Sequence, residues 1–561
     1  MRERARPAAR VARARIAARI PALAAAALTT ACAGGPRPGG GQGAAPARLA
    51  PRAAFVALAD SLLADSAWRT ARWGVLVVNP AAGDTLYSRD AGRLFMPASN
   101  QKILTGAAAL ALLGPDYRWR TALVADRGAL GGDGVLRGDL RVVGRGDPAV
   151  SDRAQGDAMR PLRALADSLR ARGVRRVDGR LVPAGDAFPG APLGFGWAWD
   201  DLDEPYSAGV SELLFNEGFA TVVARGGARP GDPVAVTVRP APSALPVDGA
   251  ALVTATPGVV GRGTTATNVA ARWDDRRGRY VLSGAVSVND TAALQLAARD
   301  PRAAYLAALG DALRERGIAV RGAAPAAPAH GAVASAGEPV RKSLPDDAPA
   351  SGFGDATAPD AGGDTLAVLV SPPLRDVLPW LEKPSQNQIA EALFRTAALE
   401  RTGVGTPDSA RAVLGRQLRA WGVAPERDAV LRDGSGLSRH DYVTPEALVR
   451  VLDAVRRRPD FGAFYDALPV AGVDGTLRGR LRGTPAAGNA RAKTGTVDKA
   501  RTLSGYVTTA GGELLVFSML CNNYTVPTRE VERVQDALVA RLAALPAGAA
   551  GARAPARAPA R

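Results

Sequence analysis

The sequence predicts an α/β (α+β) domain whose two halves are separated by a long β-rich insertion. Three observations carry that expectation. A helix followed by two strands is expected near residues 52–88, and two strands followed by a helix near residues 502–545. Between them, residues 117–324 change to short strands broken by frequent Gly, Asp and Pro. At 561 residues the chain also exceeds the roughly 250–300 residues at which single cores stop growing, so more than one core is expected.

Taken in order, residues 2–19 are studded with Arg and residues 20–31 (IPALAAAALTTA) are apolar, ending in small side chains. This is the layout of a secretory signal peptide over 1–32, too short for the ~20 residues of a membrane span. Cys32 follows Leu28-Thr29-Thr30-Ala31, which makes it a candidate lipidation site tethering the chain to a membrane; plain cleavage and release is the alternative. Residues 33–50, rich in Gly, Pro and Ala, read as a flexible tether. The first part of the α/β domain is expected over 51–116. It has helical periodicity over 52–68 (Phe55, Leu58, Leu62 and Leu63), strands at 73–80 and 84–88, and a helix running from Ser99 to Gly114-Pro115. Residues 117–324 form one or two inserted β-rich domains with one helix near 159–172. Residues 325–364 lack periodicity and read as a connector. The second part, 365–545, carries helices near 374–382, 386–403, 407–422 and 444–457. It then has a strand pair around Gly511-Gly512 and a helix at 529–545. The tail from 546 to 561 is predicted to be disordered.

Composition narrows the function. Hydrophobic residues make up 47% and charged residues 22%, an ordinary globular balance. Of the net charge of +17, the first 32 residues hold +6 and the tail after Pro546 holds +3, leaving +8 over the rest with acids and bases interspersed. No basic stripe results, so nucleic acid is not an expected partner. The two histidines, His330 in the connector and His440 in a polar turn, supply neither a Ser-His-Asp triad nor a two-His zinc site; no metal or cofactor is expected. Cys521 lies in an apolar run and reads as a small buried hydrophobe, with no disulfide framework. Only five of the 71 basic residues are lysine: Lys102, Lys342, Lys383, Lys493 and Lys499. Arg does not give up its proton in a protein whereas a desolvated Lys can, so the lysines are where proton chemistry is sought.

Two of them lie in motifs. Ser99-Asn100-Gln101-Lys102, Ser385-Gln386-Asn387 and Lys493-Thr494-Gly495 occur in the order of the Ser-x-x-Lys, Ser-Asp-Asn and Lys-Thr-Gly set. Ser99 and Lys102 stand three apart on one helix face, where a neutral Lys102 amine can take the serine proton. A second ammonium, from Lys493, would lower the Lys102 pKa by repulsion. Ser385 and Asn387 suit a turn facing a cleft, one relaying a proton and one bonding an amide; helix capping is the structural alternative. Gly495, lacking a Cβ, would let a substrate backbone lie along an edge strand. Lys493 and the Thr494 and Thr496 hydroxyls would meet a terminal carboxylate, and the Ser99 and Thr496 amides would form an oxyanion hole.

On these motifs the chain resembles the D-alanyl-D-alanine carboxypeptidase/endopeptidase family, the class C low-molecular-mass penicillin-binding proteins. The likeness extends to Gly144–Pro148, Tyr206-Ser207-Ala208, Ser371-Pro372-Pro373-Leu374, Asp433–Arg439 and Gly475-Thr476-Leu477. The long interval between Lys102 and Ser385 suits a family in which extra domains are inserted there. The resemblance implies a serine β-lactamase/D,D-peptidase-like transpeptidase fold, with Ser99 as nucleophile, Lys102 as base and Ser385 as proton relay. Asn387 would hold the substrate amide, and Lys493, Thr494, Gly495 and Thr496 would line the carboxylate site. It implies peptidoglycan stem peptides as substrates, β-lactam antibiotics as acylating inhibitors and a periplasmic location. Gln386 departs from the commoner acidic or small middle residue. A β-lactamase or esterase, and a catalytically idle wall-binding protein, are the alternatives.

Overall fold

The computed structural model describes residues 50–241, 245–255, 258–260, 263–265, 267–322 and 362–549. The signal segment, Cys32, most of the tether and nearly all of the connector and tail lie outside these residues. Among the described residues, no helix is long and apolar enough to cross a membrane.

The two ends of the described chain build one antiparallel sheet. Strands β1 (Arg72–Asn79), β2 (Asp84–Arg89), β3 (Arg491–Val497), β4 (Ala500–Thr508) and β5 (Leu514–Asn522) lie in the order β2-β1-β5-β4-β3. Alternation sorts their side chains to two faces. Val75, Val77, Leu503, Val507, Phe517 and Met519 pack with helices α1 (Pro51–Leu63) and α6 (Thr528–Ala543). Leu76, Tyr506, Val516 and Leu520 face the opposite way. They pack among helices α2 (Gln101–Leu113), α3 (Leu374–Glu382), α4 (Asn387–Thr402) and α5 (Pro445–Arg456). Strand β3 is an edge, as the sequence predicts for the Lys-Thr-Gly segment.

The intervening chain has separate cores. Leu123, Val142 and Leu181 of a four-stranded sheet pack against helices Met159–Ala171 and Pro301–Glu315. Further on, two three-stranded sheets share a core of Val222, Leu252, Tyr280, Leu282 and Leu296.

Three local expectations are corrected. The first helix stops at Leu63, because Asp65 caps a separate 3₁₀ turn at Ser66–Trp68 by accepting from the Ala67 amide at 2.8 Å. The β-rich stretch holds a second long helix, Pro301–Glu315. Its signal was present in Asp300 capping the Ala303 amide and in Tyr305, Leu306, Leu309, Ala312 and Leu313 at helical spacing. Residues 364–370, given no element from sequence, form a strand that pairs with Arg120–Ala125, so the chain leaving the connector first returns to the intervening sheet.

Candidate active site

Ser99 sits at the mouth of α2. Met96-Pro97-Ala98 does not enter the helix directly, as expected, but through a 3₁₀ turn over Ala98–Asn100 that starts with Ala98 in the left-handed region (φ 46°). Polar side chains hold this unusual entry. Asn522 Oδ1 accepts from the Met96 amide at 2.7 Å, and Thr502 Oγ1 donates to the Pro97 carbonyl at 2.8 Å. Fully buried Asn100 donates to the Lys493 carbonyl at 2.8 Å and accepts from Ser504 Oγ at 2.7 Å. Met96, Pro97 and Asn100, which flank the candidate nucleophile, are thus pinned to β3, β4 and β5. Strand β3 passes so close that a Cβ on Gly495 would lie 2.2 Å from Thr502 Oγ1, the hydroxyl that holds the Pro97 carbonyl, 2.8 Å from the Pro97 oxygen and 2.9 Å from the Ser99 nitrogen. This revises the reason for Gly495: the space it leaves is filled by the protein's own Ser99 turn.

Lys102, in the first turn of α2 and wholly buried, has three partners: Ser99 Oγ at 2.9 Å, Asn387 Oδ1 at 2.6 Å and the Ser435 carbonyl at 2.7 Å. The Asn387 amide is oriented by its own donation to the Tyr206 carbonyl at 2.8 Å, which leaves Oδ1 facing the lysine. A neutral amine has two N–H groups and one lone pair. Asn387 Oδ1 and the Ser435 carbonyl can only accept, so they take both N–H groups and leave the lone pair for the Ser99 hydroxyl.

Burial lowers the Lys102 pKa to about 8, against the opposing pull of Asp433, Glu382, Glu391 and Asp441. The expected cause, repulsion from Lys493, is therefore replaced by desolvation. Lys493 is likewise buried and lowered, by desolvation first and by Lys102 second, with Glu382 opposing and Arg501 adding to the fall. Its ammonium donates to Ser385 Oγ at 2.8 Å and to the Thr494 carbonyl at 2.9 Å.

The capping alternative for the middle motif resolves onto Gln386. That side chain caps α4 by accepting from the Ile389 amide at 3.1 Å. Ser385, held left-handed at φ 66°, and Asn387 are thereby left to engage the two lysines. A non-glycine residue in that region costs on the order of 1–3 kcal/mol and persists only where its surroundings enforce it.

Thr494 Oγ1 donates to Thr476 Oγ1 at 2.7 Å, which adds Thr476 to the site. Thr496 is exposed, and its hydroxyl accepts from Arg501, itself paired with Glu532. The folded chain thus forms two hydrogen-bonded groups, Ser99 with Lys102 and Asn387, and Ser385 with Lys493, Thr494 and Thr476, joined where Asn100 bonds the Lys493 carbonyl, with Gly495 against Ser99 and Thr496 at the solvent edge.

Sequence reasoning did not single out several contributors. The Ser435 carbonyl belongs to a loop whose Gly434 and Ser435 amides donate to Glu391 Oε1 at 3.0 and 2.8 Å. Asp433 Oδ1 closes the same loop by accepting from Gly436 N at 2.6 Å. The intervening chain reaches in as well: Gln388 donates to the Pro205 and Ala208 carbonyls at 3.2 and 3.0 Å, and Trp197 Nε1 to Asp433 Oδ2 at 2.9 Å. Backbone carbonyls carry no residue signature; the signals that were open to notice are Asn100, inside the first motif, and the Asp433–Arg439 and Tyr206-Ser207-Ala208 runs, whose likeness to the family gave them no role.

Against known proteins, the model of the D-Ala-D-Ala carboxypeptidase 3 (S13) family matches residues 56–345 and 348–545. This chain belongs to the D-Ala-D-Ala carboxypeptidase 3 (S13) family. Among curated S13-like relatives, a D-alanyl-D-alanine carboxypeptidase of Actinomadura sp. is 33% identical over 495 residues, covering 86% of this chain and 83% of that protein. D-alanyl-D-alanine carboxypeptidase DacB of Haemophilus influenzae is 28% identical over 469 residues, covering 80% and 85%. The crystal structure of penicillin binding protein 4 from the same organism superposes with a TM-score of 0.68 at 25% identity, over 87% of this chain and 99% of that one. That protein has also been solved with a β-lactam bound. The S13 chain accordingly has the multidomain α/β fold of the penicillin-binding serine peptidases.

Proposed function

We infer that this S13 chain is a serine D,D-carboxypeptidase and endopeptidase of peptidoglycan stem peptides, acylated on Ser99. The observation that carries this reading is the Lys102 amine, 2.9 Å from the Ser99 hydroxyl, with both its other partners restricted to accepting. Lys102 takes the Ser99 proton as Oγ attacks the carbonyl carbon of the penultimate D-alanine. The amides of Ser99 and Thr496 receive the developing oxyanion. The peptide C–N bond breaks as the proton passes, by way of Ser385, to the leaving amine, and water then hydrolyses the Ser99 ester. Asn387 holds the substrate amide, while Lys493, Thr494 and Thr496 take the terminal carboxylate. β-Lactams enter the same sequence and stop at the ester. The mechanism needs no metal or cofactor. Neither a β-lactamase or esterase nor an idle wall-binding protein is favoured. The Arg-rich, apolar start and Cys32 support export to the cell envelope with a lipid tether, and the separate cores within 117–324 support treating that stretch as inserted domains.

Mass spectrometry after penicillin exposure tests the reading. A single penicilloyl adduct on the peptide containing Ser99 is expected, absent in Ser99→Ala, together with D-alanine release from a pentapeptide by the unmodified chain. An adduct elsewhere, or none, overturns it.

A further inference from the structure

Glu382 ends α3, three residues before Ser385, and is wholly buried. Among the described residues, neither of its carboxyl oxygens has a hydrogen-bond partner. A buried carboxyl without such a partner is costly unless a charge compensates it. The compensating charges are the two lysines of the site, the two groups that act on it electrostatically. Its position is set by α2: a Cβ on Gly106, one helical turn beyond Lys102 on the same face, would lie 2.7 Å from Glu382 Oε1. Glycine at 106 therefore makes room for this carboxyl alongside the base.

The charged groups on surrounding elements are otherwise engaged. Lys383 bonds Asp474 at 2.5 Å, and Glu391 on α4 accepts the Gly434 and Ser435 amides. Arg395 on α4 donates to the Ala191 carbonyl at 2.8 Å, and Asp466 on the neighbouring helix Phe461–Ala467 pairs with Arg491 at 3.1 Å. Asp433, Glu391 and Asp441 also act on Lys102, and Arg501 acts on Lys493.

Resting on the reading of Lys102 as base and Lys493 as carboxylate binder, we propose that Glu382 is a positioning residue that divides the protons between them. One buried negative charge balances one buried positive charge. With Glu382 ionised, Lys493 can stay an ammonium while Lys102 is neutral, which is the combination acylation requires. Without it, two lysines in a dry site are left with less to hold either proton. Burial raises the Glu382 pKa and both lysines oppose that rise, as expected for a carboxyl sharing protons with them.

Removing the carboxylate lets both lysines deprotonate at lower pH. In Glu382→Gln, the acidic limb of penicillin acylation should move down by about one pH unit. KM for a pentapeptide at pH 7.5 should rise about tenfold while kcat at the shifted optimum is largely kept. Glu382→Asp, which retains the charge, should restore the midpoint. Gly106→Ala, which crowds the carboxyl without touching its charge, should move the midpoint in the same direction by less. A profile that only scales down, with its midpoint unmoved in Glu382→Gln, overturns the proposal. If that variant does not fold, an unmoved midpoint in Gly106→Ala does so. The adduct on the Ser99 peptide, mapped in the unmodified chain, reports separately on whether the underlying assignment of the site holds.

Discussion

Replacing Gly495 by alanine would put a methyl carbon 2.8 Å from the Pro97 carbonyl oxygen and 2.9 Å from the Ser99 amide nitrogen. Ordinary contacts begin near 3.4 Å, so strand β3 and the Ser99 turn must separate by about 0.5 Å, and Thr502 Oγ1, only 2.2 Å from the new methyl, must give by about 1.2 Å. Neither side yields easily. The turn is tied to the sheet through Thr502, Asn100 and Asn522, and β3 is paired along its length with β4. A misplacement of about 1 Å can cost 10²-fold in rate, so half that displacement predicts roughly a tenfold loss of acylation. Overpacking should lower stability by about 1–3 kcal/mol, which is roughly 2–4 °C in Tm per kcal/mol for a domain of this size. Stopped-flow acylation by a fluorescent penicillin, run beside a thermal melt, measures both. Acylation at the unaltered rate with an unchanged Tm would refute the claim that Gly495 exists to seat Ser99. A large fall in Tm with normal acylation would show the strain being taken up away from the nucleophile.

Three further outcomes are expected. If Lys102 is the base, as proposed, it acts only when neutral, and with its pKa lowered to about 8 the second-order rate of acylation should fall about tenfold per pH unit below 8. A rate that is flat from pH 8 down to pH 6 would remove Lys102 from that role. Thr476→Val takes away the partner of the Thr494 hydroxyl, and should raise KM for a substrate with a free terminal carboxylate several-fold with little change in kcat, as measured by D-alanine release. Ser504→Ala strips the buried Asn100 oxygen of its donor and should lower unfolding free energy by about 1–3 kcal/mol in denaturant melts.

Much of the frame was open to reading because it is written locally. The apolar runs of β1 and β5, which the fold buries on both faces, the Pro and Gly boundaries of α2, and the Thr-Pro starts at Thr406-Pro407 and Thr444-Pro445 are short-range signals that the fold obeys. Helix Pro301–Glu315 carries such a signal too, in the Asp300-Pro301 start and the helical spacing of Tyr305, Leu309 and Leu313. Strand Asp364–Val370 had none of its own: its partner, Arg120–Ala125, lies far back in the chain, and pairing at that distance leaves no local mark.

The sequence by itself determined which residue types the proposed chemistry is assigned to: a serine and a lysine on one helix face, a second lysine on a strand edge, and a serine and an asparagine flanking a helix start. Tertiary structure decided how they work. Desolvation, which depends on everything packed around Lys102, lowers its pKa where repulsion from Lys493 had been expected to. Gln386 takes the capping role and leaves Ser385 and Asn387 for the lysines. Gly495 serves the protein's own turn. The carbonyls of Ser435 and Tyr206, and the buried Glu382, enter the site only by folding. Hydrogen bonding and burial are properties of distances between remote segments, and a linear order of side chains does not contain those distances.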